Sequence, residues 1–139
     1  MAFIGRSMLW PYDENIITEK ACIEVELTLL TKEEGGRHKP LLLDSDESRY
    51  MPHIVIGDPN QREATLDPIT GHGNEEYLGV FIRPCGKIMY PGDTMNLIFD
   101  LMYYPGLKYE QVKPDATFTL RDGGLITGYG TVLSLIFEE

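Results

Sequence analysis

Apolar side chains recur at every second position through much of this chain. Over residues 21–31, Ile23, Val25, Leu27 and Leu29 fall on one side, and Glu24, Glu26, Thr28 and Leu30 on the other. A period of two places successive side chains on opposite faces of a strand, so this segment predicts a half-buried strand. The same alternation returns at Met95, Leu97, Phe99 and Leu101 within residues 94–102, and at Ala116, Phe118 and Leu120 within residues 116–121. The β-branched run Ile54, Val55, Ile56 predicts a strand over residues 51–56, stopped by Gly57, Asp58, Pro59 and Asn60. Residues 77–82 and 125–137 add further strands, the last segment reading as one strand or two. No segment has helical periodicity.

Between these runs lie breakers with recognisable turn chemistry. Residues 32–40 combine charges with Gly35-Gly36 and Pro40, and a short apolar stretch at Leu41, Leu42 and Leu43 precedes an acidic turn over residues 44–48. Residues 61–76 are irregular, with Asp67-Pro68 and Gly71-His72-Gly73-Asn74, and predict a long surface loop with one short candidate strand in its middle. Tyr90-Pro91-Gly92-Asp93 and Asp122-Gly123-Gly124 are turns, and residues 103–114 are aromatic and turn-rich. Many short strands with Gly and Pro punctuation predict an all-β antiparallel barrel or sandwich, without repeats or linkers. One domain is expected over residues 21–139, preceded by a leader over residues 1–20 that is a candidate extra edge strand.

Composition narrows the function classes. A chain of 139 residues with 42% hydrophobic and 24% charged residues suits a single core. Its apolar runs, around Leu29 and Leu133, are interrupted well before the ~18 residues a membrane helix needs. The opening MAFIGRSMLW lacks the apolar stretch and small-residue cleavage site of a secretory signal, which predicts a cytoplasmic location. Two cysteines, Cys22 and Cys85, make no disulfide framework and read as free thiols. A net charge of −10 opposes binding to a phosphate backbone.

Catalytic signatures are missing from the chain. No G-x-x-x-x-G-K-S/T loop exists to cradle a nucleotide, no G-x-S-x-G elbow, and no Cys-x-x-Cys or His-x-x-x-His spacing. His38, His53 and His72, with Asp58, Asp67 and Glu75, form a metal site only if loops bring them together, and as solvated loop and strand residues they need no such role. Asp44, Asp46 and Glu47 read as a solvated turn. No catalytic residue, metal or cofactor is predicted.

The segment Thr31-Lys32-Glu33-Glu34-Gly35-Gly36-Arg37-His38-Lys39-Pro40, following a strand, resembles the opening of the C-terminal β-barrel domain of elongation factor Tu. In the same order come Arg49-Tyr50 before a strand, Tyr90-Pro91-Gly92-Asp93 where the family has M-P-G-D, and Leu120-Arg121-Asp122-Gly123-Gly124 with Gly128-Tyr129-Gly130 where it has I-R-E-G-G and G-A-G. The resemblance covers residues 21–135 and implies a small closed antiparallel β-barrel. It predicts a free-standing third domain, since the GTP-binding domain and second barrel have no counterpart in these residues. In the whole factor that domain packs on the GTPase domain, meets the exchange factor and contacts the T arm of aminoacyl-tRNA.

Residue by residue the tRNA implication weakens. Arg37 and His38 match a basic pair near the T arm, but Tyr103-Tyr104 stand before Pro105 where the family has Lys, and Leu125 replaces an Arg after the glycine pair. Each missing cation lowers the salt slope on a duplex by about 0.9. The expected function is therefore a non-catalytic module that binds a protein: a translation GTPase, an exchange factor or a second copy of itself. Its candidate contact residues are Arg37, His38, Lys39, Arg49, Tyr103, Tyr104, Arg121 and Gly130. A weak tRNA- or RNA-binding module is the alternative, and an enzyme using the loop over residues 61–76, with His72, Asp67 and Glu75, is a third. The bland reading of Arg37 is a pair with Glu33, Glu34 or another nearby acid. Neither a membrane nor a nucleotide is an expected partner.

Overall fold

The computed structural model describes residues 20–45, 50–107 and 109–138, and the backbone of residues 3–7. Its strands are β1 (Phe3–Ser7), β2 (Lys20–Leu29), β3 (Leu41–Leu43), β4 (His53–Ile56), β5 (Leu78–Ile82), β6 (Lys87–Met89), β7 (Thr94–Leu101), β8 (Thr117–Asp122) and β9 (Leu125–Glu138). The order β9-β2-β7-β5-β4-β8 closes on itself through pairing of β8 with β9, which makes a six-stranded antiparallel barrel. Strand β1 pairs with the C-terminal end of β9, and β3 with β6 forms a separate two-stranded ribbon. Among the described residues no helix is long and apolar enough to cross a membrane. The all-β barrel expected from the residues and the resemblance is the fold observed. Most of the leader, the acidic residues Asp46 and Glu47, and Arg49 lie outside the described residues.

In β2, Ile23, Val25, Leu27 and Leu29 are buried while Glu24, Glu26 and Thr28 look outward, as the alternation predicts, but Leu30, expected on the outer side, is buried just past the end of the strand. These side chains meet Leu97 and Phe99 of β7, Val80 and Ile82 of β5, and Phe118 and Leu120 of β8 in one core, to which the ribbon adds Leu41, Leu43 and Met89. Burial of an aliphatic or aromatic side chain contributes roughly 1.5–3 kcal/mol, so this cluster is the main source of stability.

Strand β9 is a single strand whose parity changes midway. Against β2, Glu24 faces Ser134 while Val25 faces Val132, so Leu133 is an extra residue bulged outward. Val132 points inward before the bulge, and Leu135 and Phe137 after it. One inserted residue restores the inward face that strict alternation would have lost.

The turns hold these strands in register. In the segment after β2, Thr31 and Glu34 cap one another: the Glu34 N–H donates to Thr31 Oγ1 (3.2 Å), and the Thr31 N–H donates to Glu34 Oε1 (3.0 Å). Gly35, at φ +90°, then reverses the chain, and Gly36 lies against the backbone of Leu30. The Tyr90-Pro91-Gly92-Asp93 turn docks on the end of β2 by hydrogen bonds between Leu29 and both Gly92 and Asp93.

Candidate functional site

Arg37 leaves the Gly35-Gly36 turn toward the β8–β9 hairpin. Its Nη1 lies 3.2 Å from Asp122 Oδ2, its Nε donates to the Lys39 carbonyl (3.3 Å), and its guanidinium stacks 5.0 Å from the Tyr50 ring centroid. The ion-pair partner is thus Asp122 across the barrel end, and not Glu33 or Glu34. Glu34 is held in its own turn, where its bonds to Thr31 keep its carboxyl below the usual range. Burial raises the pKa of the Tyr50 hydroxyl behind Arg37. His38 and Lys39 are exposed.

Tyr103 lies across Gly79 of β5 on the outside of the barrel, in the place a side chain at Gly79 would occupy. Its backbone is fixed from below: the Tyr109 hydroxyl donates to the Gly79 carbonyl (2.9 Å) and accepts from the Tyr103 N–H (3.0 Å). The Leu107 N–H closes the turn on the Tyr103 carbonyl at 2.7 Å. Met102, Tyr103 and Leu107 are exposed, whereas Tyr104 is half-buried with its ring 6.3 Å from that of Phe137. Beside Met102 and Tyr104 opens a cleft of about 630 Å³ that also borders Arg83, Asp100 and Glu138.

That charged group is closed on itself. Arg83 reaches Asp100 with Nε (2.9 Å) and Nη2 (2.7 Å) and also pairs with Glu138. Cys22 lies 3.6 Å from Glu138 Oε1, near enough to Asp100 and Glu138 for the three to face one ion. Burial, however, pushes the Cys22 thiol up to about 12, which opposes the thiolate a metal would need.

Arg121 and Gly130 do not reach the surface. Arg121 projects from the outer face of β8 but is fully covered by the loop over residues 57–77. Its Nη1 meets Glu75 Oε1 (2.8 Å) and the Tyr77 hydroxyl (3.0 Å), its Nη2 meets Glu75 Oε2 (2.9 Å), and its Nε bonds Thr119 Oγ1 (2.9 Å). Glu75 also accepts from the Thr65 N–H and from Gln61, both at 2.8 Å. These bonds, those from Arg121 foremost, lower its pKa to about 2. Gly130 sits against the Glu26 carbonyl and the Phe118 ring, which leaves no room for a Cβ. Both residues therefore hold the barrel together and are not accessible as contact residues in this structure.

The loop itself is ordered by these bonds. Arg62 lies over the Tyr129 ring of β9 at 5.2 Å, and His53 packs edge-on to Tyr77 at 5.9 Å. At the tip, Leu66 bridges to Gly73, and Asp67 Oδ1 accepts from the N–H groups of Ile69 (2.8 Å) and Thr70 (3.2 Å). Asp67 and Glu75 are thus engaged in holding the loop, and only His72 of the three side chains considered for an enzyme stands free of such a task. Among the described residues, no metal-type group forms from the three histidines with Asp58, Asp67 and Glu75. What sequence reasoning missed is the clamp. It joins a carboxylate in the irregular loop to a cation 46 residues away at an outward strand position, and no local pattern signals the pairing.

His53 of β4 faces Gly79 of β5 on one side and Arg121 of β8 on the other. Tyr103 over Gly79 thus stands at one end of a row three strands wide, roughly 10 Å at the usual strand spacing, whose far end at Arg121 lies beneath the loop over residues 57–77.

No protein-family model matches the chain. It is similar to the apicoplast elongation factor Tu of Plasmodium falciparum (isolate 3D7), at 30% identity over 132 residues. That match covers 95% of this chain but only 27% of the relative's length. By this similarity and by its closed barrel the domain resembles the C-terminal β-barrel domain of elongation factor Tu.

Proposed function

We propose that this domain is a translation-linked, non-catalytic binding module whose partner is a protein. The observation that carries the reading is Tyr103, an exposed aromatic side chain laid over Gly79 on the outside of the barrel. It supports a contact surface built around an exposed aromatic residue. Tyr103 has the attributes of an anchor: a large apolar ring, 59% exposed, on a backbone already fixed by Tyr109. Lys39 supplies a rim charge and His38 an exposed polar side chain beside it. Similarity to a translation factor favours a translation GTPase or exchange factor as the protein recognised.

An RNA partner has weaker support, because Arg37 is already paired with Asp122 and the net charge is −10. The test is affinity capture with the tagged chain from the source cells, with and without ribonuclease, beside the double variant Arg37→Glu/Tyr103→Ala. A protein retained after ribonuclease and lost from the variant is expected. If tRNA is recovered instead, and released by raising salt, the protein reading is wrong. A complex indifferent to both substitutions would remove this surface from consideration.

A further inference from the structure

We infer that the loop over residues 57–77 is a docking arm that presents Ile69 to an apolar pocket rimmed by basic residues on a partner protein. Ile69 is 92% exposed and Leu66 beside it 55%. A lone exposed aliphatic residue is ordinary, so exposure by itself argues little. What sets Ile69 apart is the structure built to hold it. Asp67 accepts from both residues that follow Pro68, the Asp67 N–H donates to the His72 carbonyl (2.7 Å), and the Gly71 N–H donates to the Asp67 carbonyl (2.8 Å). The His72 N–H donates to Thr70 Oγ1 (3.2 Å), and the Asn74 N–H to the Thr65 carbonyl (3.2 Å).

Below this tip the loop is fastened to the barrel by the buried Arg121, through Glu75. The apolar tip is therefore ordered before any partner arrives, and an anchor ordered in advance spares the complex the entropy of fixing a loop.

The surroundings of the tip select the occupant. The loop carries Asp58, Glu63, Asp67, Glu75 and Glu76 against Arg62 alone. Glu75 is neutralised by Arg121, while Asp58, Glu63 and Glu76 are exposed. These exposed carboxylates share the loop with Ile69, so lysines or arginines suit the rim of a pocket that receives it. A second copy of the chain brings another −10 of charge, and an anionic bilayer is likewise repelled. A basic-rimmed protein is the occupant these charges favour. The inference rests on the protein-binding reading above and adds to it a second anchor besides Tyr103.

The experiment uses the full chain with a benzophenone photo-crosslinking residue in place of Ile69, irradiated in ribonuclease-treated extract of the source cells. The same replacement at Leu42, 57% exposed on the separate ribbon, is the control. Unlabelled wild type, Ile69→Asp and Glu63→Lys/Glu76→Lys chains compete, after thermal melts establish that each is folded. One protein adduct is expected from position 69 and none from position 42. The two variant competitors should be at least tenfold weaker than wild type. Equal competition by Ile69→Asp overturns the arm, and so does an adduct to a second copy or to lipid. If the tagged wild-type chain still retains a ribonuclease-resistant protein while position 69 yields no adduct, only the arm fails. Absence of any retained protein overturns the binding reading as well.

Discussion

Arg121 and Glu75 meet through two parallel hydrogen bonds, Nη1 to Oε1 at 2.8 Å and Nη2 to Oε2 at 2.9 Å, with the arginine side chain wholly buried. A fork of this kind is the strongest geometry available to a guanidinium and a carboxylate. Here it joins a barrel strand to a long loop, so its loss would release the loop as well as strand a charge.

Removing one partner should therefore cost more than removing both. Glu75→Leu leaves Arg121 buried and unpaired, and is expected to lower stability by about 3 kcal/mol in urea titrations. The double variant Glu75→Leu/Arg121→Met, which replaces the pair with apolar volume, should recover most of that loss. A double variant as unstable as the single one would show that the loop depends on the pair for more than charge balance.

Acid should act through the same residue. The pKa of Glu75 is lowered in the folded state from 4.5 to about 2, chiefly by Arg121. A depressed carboxyl contributes its full stabilisation above the unfolded value, and that contribution is lost as pH falls through the folded value. Wild type should thus lose more stability than Glu75→Gln between about pH 4.5 and pH 2. The difference should be about 1–2 kcal/mol, since solvent at the loop edge screens part of the shift. Parallel unfolding curves for the two proteins across this window would contradict the assignment.

The barrel was legible because burial and period agree in β2, β7 and β8, where Ile23, Leu97 and Phe118 each sit at an alternating apolar position. β9 was ambiguous for a physical reason: the bulge at Leu133 reverses parity, so its inward residues share no single alternation. β6 was not readable, because Lys87, Ile88 and Met89 owe their strand to pairing with Leu43, Leu42 and Leu41. The candidate site divides similarly. Tyr103 and the Arg37 turn are picked out by local motifs, whereas the partner of Arg37 is 85 residues away and that of Arg121 is 46 residues away. No local pattern encodes such pairs. Arg121 in particular looked like a surface cation because nothing in the sequence around it shows that a distant loop covers it.

The two cysteines should separate cleanly by reactivity. Cys85 is exposed, while Cys22 is 1% exposed and its thiol is pushed up to about 12 by burial. An aromatic disulfide reagent at pH 8 should modify Cys85 rapidly in the native protein and reach Cys22 only at the rate of unfolding. Two equally fast thiols would show that the Cys22, Asp100, Glu138 and Arg83 group opens in solution.

Two glycines test how the barrel face is built. At Gly130 a methyl group meets the Glu26 carbonyl across the strand pair as well as the Phe118 ring. Backbone cannot move aside without parting β9 from β2, so Gly130→Ala is expected to cost about 3 kcal/mol or more. At Gly79 the obstacle is the ring of Tyr103, which is 59% exposed and has solvent to move into. Gly79→Ala should then cost under about 1.5 kcal/mol, yet shift the Tyr103 ring resonances and weaken any complex that uses this tyrosine as an anchor. Equal destabilisation by the two substitutions, read in the same urea titration, would mean that Tyr103 is packed as firmly as the core. It would then be part of the barrel rather than a residue held out for a partner.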